Sequence, residues 1–224
     1  MNDRRLQQIA FYLWPKYSRL IDLINSNALI WKFIKTIRDI HVSPSRLEHF
    51  KYINSELLKN APIDYLEFGV ASGDSIANWI VINESPSSRF YGFDTFTGMP
   101  ERYYYRILQG AFSTGGLIPK TNDPRAAFIK GLFQETLPPF LKRYEKINPL
   151  VVHMDADLYS SSLFVLAQLS SFFEPGDIIM FDDFFNPLHE FRAWSDYCQS
   201  FRVSARPVSL VKRGPFYENV AFRF

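Results

Sequence analysis

The spacing of apolar positions changes near residue 60. Before it, Leu20, Leu23 and Ile24, then Ile30, Phe33, Ile34 and Ile37, recur every three or four residues, as one helix face does, and no run alternates as a strand would. Residues 1–60 are therefore expected to form a helical N-terminal extension. From Asp64 short apolar runs alternate with amphipathic stretches, the texture of a mostly parallel sheet covered by helices. Strands are predicted over Tyr65–Val70, Phe90–Asp94, Ala127–Gly131, Leu150–Asp155 and Asp177–Asp182, and helices over Ser75–Asn83, Thr136–Tyr144, Ser160–Phe173 and Glu190–Phe201. The late runs Pro207–Val211 and Asn219–Phe224 predict an antiparallel edge pair at the C-terminus. The fold class is thus α/β, a doubly wound and mostly parallel sheet, with residues 61–224 as one domain. Tyr103–Asp123 fits neither period and reads as a lid or substrate loop.

Composition narrows the partners. The 224 residues are 47% apolar, enough for a sizeable core, and 25 basic against 23 acidic residues leave no charge excess to attract nucleic acid or anionic lipid. Lys16, Arg19, Lys32, Lys35 and Arg38 read as a solvated helix face in preference to a membrane-surface face. A single cysteine, Cys198, excludes an internal disulfide framework, and the start MNDRRLQQ lacks the apolar core of a secretory signal, so a cytoplasmic location is expected. The uncharged run Leu158–Phe173 is too short for a membrane span and carries several serines, which suits a buried amphipathic helix.

The first candidate chemistry follows the first predicted strand. Glu67-Phe68-Gly69-Val70-Ala71-Ser72-Gly73 is a strand end, a glycine-containing turn and a helix start, and Gly69 and Gly73 let backbone approach a ligand closely. Asp94, 27 positions beyond Glu67, ends the second predicted strand, where a carboxylate can accept both hydroxyls of a ribose or simply cap a turn. A nicotinamide-dependent oxidoreductase would use the same layout but wants G-x-G-x-x-G. Here an acid stands where the first glycine should be, which would repel a pyrophosphate and suit the ammonium and sulfonium of S-adenosylmethionine.

Five segments in order carry a resemblance: Asp64-Tyr65-Leu66-Glu67-Phe68-Gly69-Val70 with Gly73; Tyr91 to Pro100; Gly131 to Pro138; His153-Met154-Asp155-Ala156-Asp157-Leu158-Tyr159; and Pro175 to Phe184. Over roughly Asp64 to Phe201 the chain resembles the class I S-adenosylmethionine-dependent methyltransferases, specifically the macrocin O-methyltransferase family. The resemblance implies a Rossmann-like fold, the Glu67–Gly73 turn on the methionine part of the donor, Asp94 on its ribose, and Leu132 and Phe133 along the adenine. Those two apolar residues read equally well as core.

Asp155 and Asp157 follow the fourth predicted strand, and Asp182-Asp183 follow the fifth. Carboxylates at adjacent strand ends converge and repel unless a cation neutralises them, and an oxygen-only set suits Mg²⁺ or another hard divalent ion. Asp157 reads better as a helix cap. The resemblance implies a metal site of Asp155, Asp182 and Asp183, with Asp155 and Asp182 also counted as catalytic. His153, inside a strand, reads as a packed histidine. His189 is the candidate general base, although Phe184 to Asn186 and Pro187 separate it from the paired acids more widely than the family pattern has it; activation by metal alone stands beside it.

The expected activity is transfer of a methyl group to a hydroxyl of a small molecule, by the resemblance a sugar or glycosylated metabolite. The aromatic loop of Tyr103, Tyr104, Tyr105 and Phe112 offers faces to a sugar ring or packs the lid. The rival readings are an NAD-dependent oxidoreductase and a non-catalytic donor-binding protein. The N-terminal helices are expected to cover the catalytic face or to pair two copies in a homodimer.

Overall fold

The structure is a computed structural model that describes residues 5, 20, 21, 23–25, 27–37, 39–103 and 107–224. Eight strands form one sheet: β1 (His41–Ser43), β2 (Asp64–Phe68), β3 (Arg89–Asp94), β4 (Ala126–Lys130), β5 (Leu150–Met154), β6 (Ile178–Phe181), β7 (Arg206–Arg213) and β8 (Phe216–Arg223). Its helices are α1 (Arg46–Tyr52), α2 (Asp74–Ile82), α3 (Phe133–Leu141), α4 (Tyr159–Leu169) and α5 (Glu190–Phe201), and α1 runs on into a π-helical turn, Ile53–Leu57. Residues 27–36 are also helical. Among the described residues no helix is long and apolar enough to cross a membrane.

The sheet order is β1-β7-β8-β6-β5-β2-β3-β4, with β2 to β6 mutually parallel and β8 antiparallel to both its neighbours. The chain winds outward from β2 through β3 to β4, then crosses back to place β5 on the other side of β2. That reversal opens a crevice at the carboxyl ends of β2 and β5, where open α/β sheets bind ligands.

Strand alternation divides the core into two layers. Leu66, Phe68, Val152, Met154, Ile179 and Phe181 face one cluster with Trp194, Tyr197 and Phe222. Tyr65, Val151, Ile178 and Met180 face the other, with Phe50, Ile53 and Trp79. β2, β5 and β6 are buried along their whole length; β6 reads in sequence as an unbroken apolar run and β5 as one interrupted only by His153, while β2 carries Asp64 and Glu67 into the interior. Phe33, from the N-terminal helical segment, packs its ring 5.2 Å from Phe184 and so joins the first layer.

The expected C-terminal antiparallel pair is present as β7 and β8. The expectation of no strand in the first 60 residues is corrected: His41–Ser43 pairs in parallel with Ser209 to Val211 and lies outside β7. Three residues, with Val42 exposed and Ser43 buried, are too few for a period to show. Of the basic residues read as a helix face, Lys16, Arg19 and Arg38 lie outside the described residues.

At the opposite end of the sheet from the crevice, fully buried Asp64 accepts bonds from Arg89 Nε (2.8 Å), the Tyr144 hydroxyl (2.8 Å), Ile147 N (3.1 Å) and Asn148 Nδ2 (3.0 Å). Burial alone would raise its pKa, but the bonds from Arg89, Ile147, Tyr144 and Asn148 outweigh it and hold the carboxyl below its ordinary value. Asp64→Ala strands these donors and is expected to lower unfolding free energy by about 3 kcal/mol in urea titration at neutral pH. A depressed folded pKa means stability gained on ionisation, so the difference between wild type and variant is full above the ordinary aspartate value and shrinks as pH falls through the depressed one.

Candidate active site at the switch point

A cleft of about 380 Å³ opens at the carboxyl ends of β2, β3, β5 and β6. Its floor depends on Gly69. At φ +96° this residue turns the chain out of β2, and a Cβ there would lie 1.9 Å from the Asp155 carbonyl oxygen, so only glycine lets the two strand ends close up. Gly69 N donates to Phe93 O and Asp155 N to Phe68 O, each at 2.9 Å, which locks the three strand ends together. Gly73, at φ +87°, is the N-cap of α2 and closes the turn by donating to Val70 O at 2.8 Å.

Asp94, at the end of β3, organises this turn. Its Oδ2 accepts from Val70 N (2.8 Å) and Ala71 N (2.7 Å), and its Oδ1 from Phe96 N (2.7 Å). The turn-capping role weighed from sequence is therefore present, and the same carboxylate also lines the cleft. Leu132 and Phe133 line it as well, and Phe133 meets core residue Phe68 edge-on at 5.4 Å, so it belongs to both the cleft wall and the first core layer.

Glu67 is placed elsewhere. It alternates with Leu66 and Phe68 and so points into the opposite layer, 1% exposed, where the Tyr65 hydroxyl donates to it at 2.5 Å. His153, its cross-strand neighbour on β5, lies 3.6 Å from Glu67 and bonds Tyr65 at 2.9 Å. Neither Glu67 nor Gly73 is among the cleft-lining residues. The acids that line the cleft are aspartates instead.

Four of these cluster. Asp155 and Asp182 stand at the ends of adjacent strands, and with His153 they offer ligand atoms within 4.8 Å of one another. Asp183 turns aside, accepting from the Tyr103 hydroxyl at 2.8 Å and sharing a hydrogen bond with Asp157. Burial and the facing Asp182 charge hold the Asp155 carboxyl well above its ordinary value despite Arg46, and burial raises Asp182 against the pull of Arg46. Burial and Asp183 push Asp157 up to about 7. Beneath them Glu190 is fully buried; its Oε2 accepts from Asp183 N at 3.1 Å, and its Oε1 has no partner among the described residues.

Two residues differ from the sequence reading, Asp157 in its role and Arg46 in not having been read at all. The cap reading of Asp157 is corrected: it sits at φ +59°, and the N-cap of α4 is Leu158, without a side-chain cap bond. Arg46, at the start of α1, donates from Nη2 to Asp182 Oδ2 at 2.5 Å and brings Nη1 to 3.8 Å from Asp155. Nothing in local spacing links positions 46 and 182. His189, the candidate base, lies off the cleft lining; its Nδ1 accepts from Tyr159 N at 3.3 Å, its ring packs 4.4 Å from that of Tyr103, and burial lowers its pKa. In the expected lid, Phe112 lines the cleft, and Tyr104 and Tyr105 lie outside the described residues.

With this geometry in place, the model of the Macrocin-O-methyltransferase (TylF) family matches residues 106–217, half of the chain. The chain belongs to this family. It is an S-adenosylmethionine-dependent methyltransferase, which removes the nicotinamide reading. Among solved structures the methyltransferase is similar to the calicheamicin methyltransferase CalS11 (21% identity over 80% of this chain and 78% of that one, TM-score 0.63). It is also similar to the O-methyltransferase NovP (21%, 80% and 78%, TM-score 0.58). An O-methyltransferase from Bacillus cereus, solved with S-adenosylhomocysteine, is similar at 17% identity over 97% of this chain and 96% of that one, TM-score 0.54. At such identities these structures establish the shared Rossmann-like fold. No curated protein sequence matches the chain.

The close approach at Gly69 yields a direct test. Gly69→Ala forces a Cβ against the Asp155 backbone at a left-handed φ and is expected to lower stability by about 2 kcal/mol or more. Thermal unfolding should show the loss, and calorimetry should show weakened S-adenosylhomocysteine binding, because the turn lining the cleft and the aspartate strand end move together.

Proposed function

We propose that the methyltransferase acts on a hydroxyl of a sugar or glycosylated metabolite, assisted by a divalent cation, Mg²⁺ or a similar hard ion, at Asp155, Asp182 and Asp183. One observation carries the metal assignment. Carboxylates crowd at adjoining strand ends with Asp155 and Asp182 raised by burial, and among the described residues Arg46 is the only basic side chain lining the cleft. An oxygen donor set short of positive charge fits a hard cation. The buried His153 is engaged by Tyr65, which supports an all-carboxylate set.

When bound, such a cation supplies Lewis acidity toward an acceptor hydroxyl. The chain's own residues bind and orient. The Gly69–Gly73 turn receives the methionine part of the donor. Asp94, held by three backbone donors, has accepting capacity left for ribose hydroxyls, while Leu132 and Phe133 offer an apolar contact to adenine. Tyr103 orients the Asp183 carboxylate. Since His189 is set off the cleft and serves as an acceptor for Tyr159 N, we favour hydroxyl activation without a dedicated histidine base.

The sugar assignment draws on the family and on two features. CalS11 is described as a TDP-rhamnose 3'-O-methyltransferase. In this chain Phe112, 61% exposed on the cleft wall, presents a face on which a sugar ring can stack.

Labelled donor incubated with a panel of nucleotide sugars, glycosylated metabolites and simple phenols tests the acceptor class; methylation of phenols alone would overturn the sugar reading. For the metal, Mg²⁺ is expected to raise the melting temperature of wild type but not of Asp182→Ala. The variant should lose methyl transfer by about 100-fold or more while still binding S-adenosylhomocysteine. Equal transfer by wild type and variant, with or without chelator, would remove the metal from the mechanism.

A further inference from the structure

Among the described residues, six carboxyl groups line the cleft, those of Asp74, Asp94, Asp155, Asp157, Asp182 and Asp183, against one basic side chain, Arg46. That balance suits the sulfonium and ammonium of the methyl donor. It offers nothing attractive to the third charge, the α-carboxylate of the methionine part, which each ionised acid nearby repels unless a cation meets it. We propose that Arg46 binds the α-carboxylate of S-adenosylmethionine. The inference rests on the donor assignment and adds to it a specific residue outside the glycine turn.

The placement of Arg46 supports this role. Ser45 caps α1 by accepting from Glu48 N at 3.3 Å, which sets the helix start at the cleft rim. From there the guanidinium reaches between the first turn of α2, with Nη1 3.4 Å from Ser75 Oγ, and the strand ends, with Nη2 2.5 Å from Asp182. It thus spans the distance from the donor turn to the aspartate pair. A guanidinium has five N–H donors in a planar fork, and these contacts occupy one on each terminal nitrogen. The remaining donors are available to a carboxylate in the bidentate geometry that arginine favours.

Fold stability does not account for the position. The Arg46 side chain is 43% exposed, and an ion pair so open to water adds little to folding. A pure counter-ion role, neutralising Asp155 and Asp182 and nothing else, predicts no discrimination between ligands with and without a carboxylate. The α-carboxylate role predicts strong discrimination.

The test is calorimetric titration of the full chain, without added metal, with S-adenosylhomocysteine and with its decarboxylated analogue, which keeps the adenosine, thioether and amine. Arg46→Met is expected to weaken S-adenosylhomocysteine by about tenfold or more while leaving the analogue within about twofold of wild type or tighter. Arg46→Lys, which keeps charge but loses the fork, should recover part of the loss. Equal weakening of both ligands, or no weakening of S-adenosylhomocysteine, overturns the proposal; unchanged melting temperature in Arg46→Met separates the first of these from misfolding. Wild type that binds neither ligand would instead overturn the donor assignment.

Discussion

Repulsion among carboxylates at the ends of β5 and β6 is the constraint around which the cleft is arranged. The register makes it unavoidable: Met154 pairs with Phe181, so the next residues, Asp155 and Asp182, are neighbours by construction. Each of the acids then draws a donor from a distant part of the chain. Arg46 arrives from α1 and Tyr103 from the loop after β3, while Asn219 Nδ2 arrives from β8 and bonds both the Asp182 side chain and its carbonyl oxygen. An N-terminal helix, a central loop and the C-terminal hairpin are thereby tied to one pair of strand ends.

The same constraint explains how the two halves of the cleft communicate. The glycine turn after β2 touches the backbone of Asp155, because Gly69 has no side chain to hold them apart. A displacement of the Asp155 strand end is felt by the turn after β2, and the reverse holds. Packing contacts this close transmit small shifts.

Much of this was legible in sequence because burial writes itself into composition. β5 and β6, covered on both faces, read as apolar runs broken only by His153, β2 keeps three apolar residues around its two buried acids, and the predicted ends differ from the observed ones by at most two residues. The acids following β3, β5 and β6 were legible because strand ends converge. What failed to show depends on contacts between remote positions or on side-chain direction. Arg46 carries no local mark of its meeting with Asp182. Asp157 looks like a cap but adopts a left-handed backbone and faces Asp183. Glu67 was read as the acid facing the donor, yet strand alternation turns it into the layer beneath α1 and α2, and the acids that line the cleft are aspartates, Asp94, Asp155 and Asp182 among them.

The short strand β1 has a consequence for the protein's behaviour in concentrated solution. By pairing with Ser209 to Val211, His41–Ser43 occupies the backbone groups in the middle of β7, and the remaining flanks of β7 carry Arg206, Lys212 and Arg213. An unpaired strand of eight residues is a template for another chain, and a half-covered strand with cationic flanks is a poor one. Three residues thus shorten the edge that the sheet offers to another chain from eight residues to three, a consequence of their place beside β7 and not of any chemistry of their own.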